Sequence, residues 1–372
     1  MILGKKVRLK PTEAQEQQLW KSAGAARWAY NWALERQEKN YASGGSFLSD
    51  NDLRKELTKL KQTEEFSWLG DVSNNIPKQA VKDACDAYKK FFKHLAEKPT
   101  FKSRRKSKPS FYNDNLKLKV KEAIVLIEKI GWIKTSEQLP LGQKYTNPRI
   151  SFDGKYWYVA VGIEQEQDTE QLTSEVIGID FGIKVLASCS NGMVFKNINK
   201  SQSVMKLEKR LRRLQRKVSR KYLKNKKGVR CVKTCNIIKV EKQIRVLHRT
   251  ITGIRSNHIH QATNAIVKTK PCKVVVETLN IKGMMKNRHL SKAIAQQKLY
   301  DFKLKLQYKC EKPGIELVEA DKWFPSSKMC SSCGAIKKDM KLSDRVYSCA
   351  CGLVIDRDFN ASINLSRYQL VV

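Results

Sequence analysis

Two close pairs of cysteines near the C-terminus, Cys330-x-x-Cys333 and Cys349-x-Cys351, restrict what this chain can fold into more than any other feature. Each pair fits on one tight turn, and the glycines that follow, Gly334 and Gly352, suit such turns. Two facing turns close a tetrahedral four-thiolate site of the kind that holds Zn2+. Four protein ligands leave that ion no open position, so its expected role is structural. Disulfide pairing is the competing reading. Ten cysteines at irregular spacing in a long, Lys-rich chain do not read as a disulfide scaffold, which favours a reduced, cytoplasmic protein.

Acidic residues follow the last thiol at once, in Asp356-Arg357-Asp358 of DRDFNASINLSRY (356–368), which reads as a helix start. A plain N-cap is the bland reading of an aspartate here; the alternative is a carboxylate that joins acids from other elements. Two further acids stand on separate predicted strands. VIGIDFGIKVLASCSNGMVFKN (176–197) reads as three antiparallel strands. Asp180 lies in the first, Gly182 allows a tight approach behind it, and Asn191-Gly192 marks a hairpin turn. That is how an RNase H-like arrangement opens. KVVVE (273–277) is a short run of the type buried on both faces of a sheet, with Glu277 at its C-terminal edge, where α/β sheets place their sites. Three carboxylates from three elements are what two hard divalent cations such as Mg2+ require. Two such ions about 4 Å apart activate a water and stabilise the leaving oxygen in phosphodiester hydrolysis.

Charge points to the same substrate class. Lys and Arg number 73 against 36 acids, a net charge of +37, which attracts polyanions from a distance. Two stretches concentrate the cations. KPTFKSRRKSKPSF (98–111) is a Pro- and Ser-rich loop with Lys102, Arg104, Arg105 and Lys106 as candidate phosphate contacts. The spacing of Leu207, Leu211, Leu214 and Val218 predicts a helix over 203–227, with nine cations within 206–221. Lys209, Arg210, Arg213, Arg216, Lys217 and Arg220 are its candidate nucleic-acid contacts; as a solvated face alone they would repel one another. A second helix is expected over 237–268, with His248, His258 and His260 as ordinary helix-face residues. No run of 18 apolar residues predicts a membrane span, and MILGKKVRLKP lacks the apolar stretch of a secretory signal.

The N-terminal part has a different organisation. A strand is expected at 5–11, then helices over Thr12–Gln37, opened by a capping box at Thr12, and around 51–63 and 78–95. Strand character returns over 115–165, with a hairpin at Asp153-Gly154, and these strands are expected to pair with the first. The polar stretch 164–174 is the expected domain boundary.

GIDFG (178–182), VVVETLNIKGM (274–284), SSKMCSSCG (326–334) and CGLVIDRDFNASINL (351–365), in this order and spacing, resemble the TnpB family of insertion-sequence OrfB-type proteins. YNWALERQ (30–37) resembles that family's helical region. The resemblance implies an α+β multidomain protein. A β-barrel wedge domain (1–11 and 112–170) would be interrupted by a helical recognition domain (12–111). A RuvC-like nuclease domain (171–372), carrying an inserted zinc ribbon (326–355), would follow. It implies an RNA-guided DNA endonuclease related to type V CRISPR effectors, with Asp180, Glu277 and Asp358 as catalytic acids and Mg2+ ligands. Asp358 is chosen over Asp356 because the related sites read D-x-N, here Asp358-Phe359-Asn360. The implied partners are a guide RNA from the element's end and double-stranded target DNA, in the cytoplasm and nucleoid of a prokaryote. Thr278 stands where the family often has an acid. A strand-transferring transposase and a nucleic-acid-binding regulator without cleavage are the alternatives. The three intact acids argue against the regulator.

Overall fold

Thr12 divides the first strand from the first helix in the computed structural model, which describes residues 1–104, 106–165, 171–228, 230–341 and 344–368. Gln15 donates its backbone N–H to Thr12 Oγ1 at 3.3 Å, and Thr12 N–H returns a bond to Gln15 Oε1 at 3.0 Å. This reciprocal pairing satisfies two donors that a bare helix start would leave open. The chain falls into two compact units, Met1–Gln165 and Glu166–Val372.

In the first unit, strand β1 (Ile2–Lys10) leads into helices α1 (Glu13–Ala42), α2 (Asp50–Leu60) and α3 (Asn75–Phe92). Strands β2 (Ser110–Tyr112), β3 (Lys119–Lys121), β4 (Ile124–Ile127), β5 (Gly131–Thr135), β6 (Tyr145–Phe152) and β7 (Trp157–Glu164) follow. They form a seven-stranded sheet in the order β2-β6-β7-β1-β5-β4-β3. β1 is shared between its halves: Ile2–Arg8 pair with β7, and Leu9 and Lys10 pair with β5. Leu19, Ala26 and Val81 of the helices and Val7, Ile133 and Val159 of the strands belong to one buried cluster. The end strands of this order, β2 and β3, are three residues each.

In the second unit, β8 (Val176–Phe181), β9 (Val185–Cys189) and β10 (Val194–Lys196) form an antiparallel meander. α4 (Gln202–Lys224), a two-residue hairpin β11 (Lys226–Lys227) and β12 (Arg230–Cys231), and α5 (Cys235–Lys268) come next. β13 (Lys273–Glu277) returns to the sheet, and α6 (Ile281–Met285), α7 (Ser291–Gln297) and α8 (Leu299–Glu311) lead to β14 (Glu316–Ala320). β15 (Val346–Ser348), β16 (Val354–Asp356) and α9 (Arg357–Ser366) complete the described chain. The five-stranded sheet runs β10-β9-β8-β13-β14, with β8, β13 and β14 mutually parallel.

Strand alternation decides which helix meets which face. Ile177, Ile179, Val274 and Val276 pack with Ile259 and Ile266 of α5 and Phe302 and Leu306 of α8. Val275, pointing the other way, packs with Val318 and with Leu365 of α9. The triple valine is thus buried on both faces. α4 and α5 zip together through Val204, Leu211, Leu247 and Ile251, flanked by Leu207, Leu214, Ile244 and Ile254. The apolar steps along α4 alternate three and four residues, a coiled-coil seam that leaves the remaining faces to cations.

Candidate active site and cysteine cluster

Gly178 sets the position of α9. A Cβ at this residue would lie 2.0 Å from the Ser362 carbonyl oxygen and 2.3 Å from the Ser366 nitrogen, so the helix backbone rests directly on β8. Asp180 is two residues further along the same face of β8. It is the penultimate residue of that strand. Glu277 ends β13 beside it: Val276 pairs with Ile179, and the Phe181 N–H donates to Glu277 Oε1 at 3.0 Å. Asp358 lies in the first turn of α9.

The two aspartates of the DRD triplet divide their work. Asp356 is the N-cap, its Oδ1 accepting the N–H groups of Asp358 and Phe359 at 3.0 Å each. Asp358 faces Arg357, whose Nη2 donates to Oδ1 at 3.0 Å, with Arg345 at 3.9 Å from Oδ2. Burial first, then the charges of Glu277 and Asp358, hold the Asp180 carboxyl well above its ordinary range. Glu277 is pushed up to about 7, chiefly by burial and further by Asp358, against the lowering effect of the Phe181 N–H. Burial and neighbouring carboxylates thus raise the proton affinity of Asp180 and Glu277, against the opposing charge of Arg357 on Asp180. An all-oxygen donor set of this kind fits hard divalent cations. Their oxygens are spread more widely than the thiols below: among the described residues, only the four cysteines bring their ligand atoms within 4.8 Å of one another. Thr278 donates its hydroxyl to the Ala320 carbonyl at 2.7 Å, tying the end of β13 to β14. Glu277 is therefore oriented from the β8 side.

Cys330, Cys333, Cys349 and Cys351 converge, with Cys330 Sγ 3.6 Å from Cys351 Sγ and Cys333 Sγ 3.5 Å from Cys349 Sγ. Both turns end on a glycine in the left-handed region, Gly334 at φ +75° and Gly352 at φ +91°. Burial alone would raise the Cys330 thiol, but the backbone N–H groups of Cys333 and Ser332 bring it down to about 6. Cys333 is raised to about 12 by the other thiols, although the Ala335 N–H acts to lower it. Four thiols at this separation carry full negative charge only around a cation, and four sulfurs in tetrahedral reach suit zinc.

The cluster is bolted to α9 by two asparagines: Asn360, which the sequence reading used only as a motif residue, and Asn364, which it passed over. Asn360 Oδ1 accepts the Ser331 N–H at 2.9 Å, and Asn360 Nδ2 donates to Met329 O at 2.7 Å. One turn later, Asn364 Nδ2 donates to Ser326 O and Met329 O, each at 2.7 Å. Their i, i+4 spacing in an apolar helix face was the available signal.

Of the candidate nucleic-acid contacts, Lys209, Arg210, Arg213, Arg216, Lys217 and Arg220 are all exposed on α4. In the loop before β2, Arg104 and Lys106 are exposed, and Arg105 lies outside the described residues. Lys102 is turned inward instead. Its ammonium sits 3.4 Å from the centre of the Tyr30 ring, and its N–H donates to Asn31 Oδ1 at 2.7 Å. No helix among the described residues is long and apolar enough to cross a membrane.

Three family models match the chain: "Helix-turn-helix domain" over residues 1–46, "Probable transposase" (OrfB type, IS605) over 158–288, and "Cas12f1-like, TNB domain" over 300–365. A Streptomyces pristinaespiralis protein named "Putative RNA-guided DNA endonuclease" is 31% identical, covering 97% of this chain and 87% of its own. The chain belongs to the TnpB family. An Escherichia coli relative, "Putative RNA-guided DNA endonuclease InsQ", is 28% identical over 97% of this chain and 90% of its own. Cas12f1, solved in a complex with single-guide RNA and target DNA, shares the fold at a TM-score of 0.58 and 14% identity, covering 95% of this chain and 82% of that one. In this TnpB-family chain the segment matched as helix-turn-helix is one strand and one uninterrupted 30-residue helix, so the description does not fit its geometry.

Proposed function

We propose that this protein is an RNA-guided, Mg2+-dependent DNA endonuclease of a transposable element, cutting double-stranded target DNA. The observation that carries the reading is that Asp180 and Glu277, at the C-terminal ends of the inner strands β8 and β13, interact with each other and with Asp358 of α9, in a chain with relatives named "Putative RNA-guided DNA endonuclease". Asp180, Glu277 and Asp358 would hold two Mg2+ ions, which supply a nucleophilic hydroxide and neutralise the leaving oxygen. The protein's own part is to fix those oxygens. The Phe181 N–H aims Glu277, β8 presents Asp180, and Asp356 caps the helix that carries Asp358.

Zn2+ at Cys330, Cys333, Cys349 and Cys351 would close the ribbon (326–355) that Asn360 and Asn364 tie to α9. We assign residues 171–372 to a RuvC-like nuclease domain, 1–11 and 112–170 to a wedge domain, and 12–111 to a helical recognition domain. Lys209, Arg210, Arg213, Arg216, Lys217 and Arg220, with Arg104 and Lys106, are assigned to nucleic-acid backbone. Guide pairing would carry most sequence specificity.

The test is to express the chain with its flanking genomic DNA and sequence the RNA that copurifies. One discrete RNA with a variable end, together with RNA-dependent cutting that Asp180→Ala abolishes while RNA is retained, is the expected result. Heterogeneous RNA, or Mg2+-dependent cutting by Asp180→Ala, would overturn it. Joining of element-end DNA in the same assay would instead mark a strand-transferring transposase.

A further inference from the structure

The Gly182–Ile183 turn that follows Asp180 is held by side chains from elsewhere. Gln297, at the end of α7 and 3% exposed, donates its side-chain amide to Gly182 O and to Ile183 O, both at 3.1 Å. A primary amide has two N–H donors, and both are spent on these successive carbonyls. Asn197 Nδ2 adds a third bond, to Ile183 O at 2.8 Å. The residue after Gln297, Lys298, adopts φ +55° between α7 and α8, a left-handed conformation that costs free energy in a residue with a Cβ. That bend ends α7 at the residue whose side chain meets the turn.

The hydrogen bonds continue outward in a consistent sense. Asn199 Nδ2 donates to Gln297 Oε1 at 3.4 Å and to Gln296 O at 3.2 Å. Arg255 of α5 donates from Nε to Asn199 Oδ1 at 2.6 Å and from Nη2 to Glu208 Oε1 at 2.7 Å. Gln296 Nε2 also donates to Glu208 Oε1, at 2.8 Å. Glu208 is the sole acid of α4, in a helix crowded with cations. It is nonetheless bonded to Arg255 and Gln296, with side-chain exposures of 15% for Arg255 and 20% for Glu208. Donors and acceptors aligned head to tail reinforce one another.

We propose that Gln297 is a positioning residue for Asp180, and that Glu208, Arg255 and Asn199 form a relay tying it to the α5-facing side of α4, the helix whose other faces carry the exposed cations. The relay rests on the endonuclease reading for its purpose, but not for its effect on metal binding. Removing the amide frees the two carbonyls and loosens the backbone that aims Asp180. Metal affinity should suffer before nucleic-acid affinity does.

The experiment uses the full chain and its copurified RNA. Mn2+ binding is measured by calorimetry, single-turnover cutting as a function of Mg2+, and RNA affinity by filter binding. Gln297→Leu should weaken Mn2+ binding about ten-fold and slow cutting at limiting Mg2+ by about 10- to 100-fold, as loss of a ligand's supporting partner does. The deficit should shrink at high Mg2+, with RNA affinity unchanged. Glu208→Gln should act in the same direction and more weakly. Gln297→Glu is isosteric and cannot donate when ionised, so it should reproduce the deficit if the leucine variant does not fold. Wild-type Mn2+ affinity in the folded variant, or parallel loss of Mn2+ and RNA binding, overturns the proposal. Failure of the endonuclease reading looks different: the wild type does not cut, whereas the difference in Mn2+ affinity between wild type and variant persists.

Discussion

The Ser331 N–H donates to Asn360 Oδ1 at 2.9 Å, joining the first cysteine turn to the helix that carries Asp358 two residues earlier. Asn360 is fully buried, so its amide has no water to fall back on. Asn360→Ala leaves the Ser331 N–H and one Met329 bond unmade in a dry site, a cost of about 1–3 kcal/mol. The expected outcome is a urea midpoint lowered to match, slower cutting, and zinc content unchanged by metal analysis. A variant with wild-type stability and rate would mean that Asn364 alone holds the joint.

Removal of zinc should act on the position of Asp358 through the same joint. Without a cation the four thiols cannot all ionise at their separations, and the turns that Asn360 and Asn364 grip lose their closure. Chelator-treated protein, or Cys349→Ser, is expected to lose cutting that added Mg2+ does not restore. Zn2+ should restore it in the chelated wild type but not in the variant. Full activity in a preparation shown to be zinc-free would contradict the assignment.

Gly178 offers a test of α9 itself. An added methyl would meet Ser362 and Ser366 backbone atoms at 2.0 and 2.3 Å, where no side chain can rotate away. Gly178→Ala must lift the helix, at about 1–3 kcal/mol for overpacking. Asp358 would move off Asp180, so cutting should fall by at least ten-fold. Thermal unfolding and RNA binding, run in parallel, distinguish a displaced helix from a failed fold: a retained cooperative transition and RNA affinity are expected.

Much of this was legible in sequence because it is local. The capping box at Thr12, the Asp153-Gly154 and Asn191-Gly192 turns and the glycines behind the cysteine pairs each follow from the chemistry of a few neighbouring residues. The triple valine announced a two-faced strand, and the Leu207–Val218 spacing announced α4. What escaped is what requires two distant segments to meet. Gly178 looks like any glycine in a strand until α9 lies on it, and Gln297 looks like a polar surface residue until the Gly182 turn reaches it. Helices α6 to α8 are short and weakly patterned, so 281–311 drew no expectation. The inward turn of Lys102 was hidden by its neighbours, since a cation within a basic loop reads as solvated until Tyr30 is seen beneath it.

The pH response of the acid cluster follows from Glu277. Its ordinary value is 4.5 and its value in the fold about 7, with burial as the main cause and Asp358 as the second. Between those values the folded chain without a cation binds more protons than the unfolded one. Its stability therefore falls as pH rises through that window, by up to about 1.4 kcal/mol per unit. Divalent cations bind the deprotonated acids, so their stabilising effect should grow over the same range. The measurement is a set of melting curves from about pH 4.5 to 7, with and without Mg2+, for wild type and Glu277→Gln; groups remote from the cluster cancel in the difference, which then reports Glu277 together with the Asp180 carboxyl that its charge raises. Wild type minus variant should slope downward in chelator and flatten or reverse in Mg2+. A difference that is flat in both conditions would mean that Glu277 keeps its charge in the fold and needs no cation beside it.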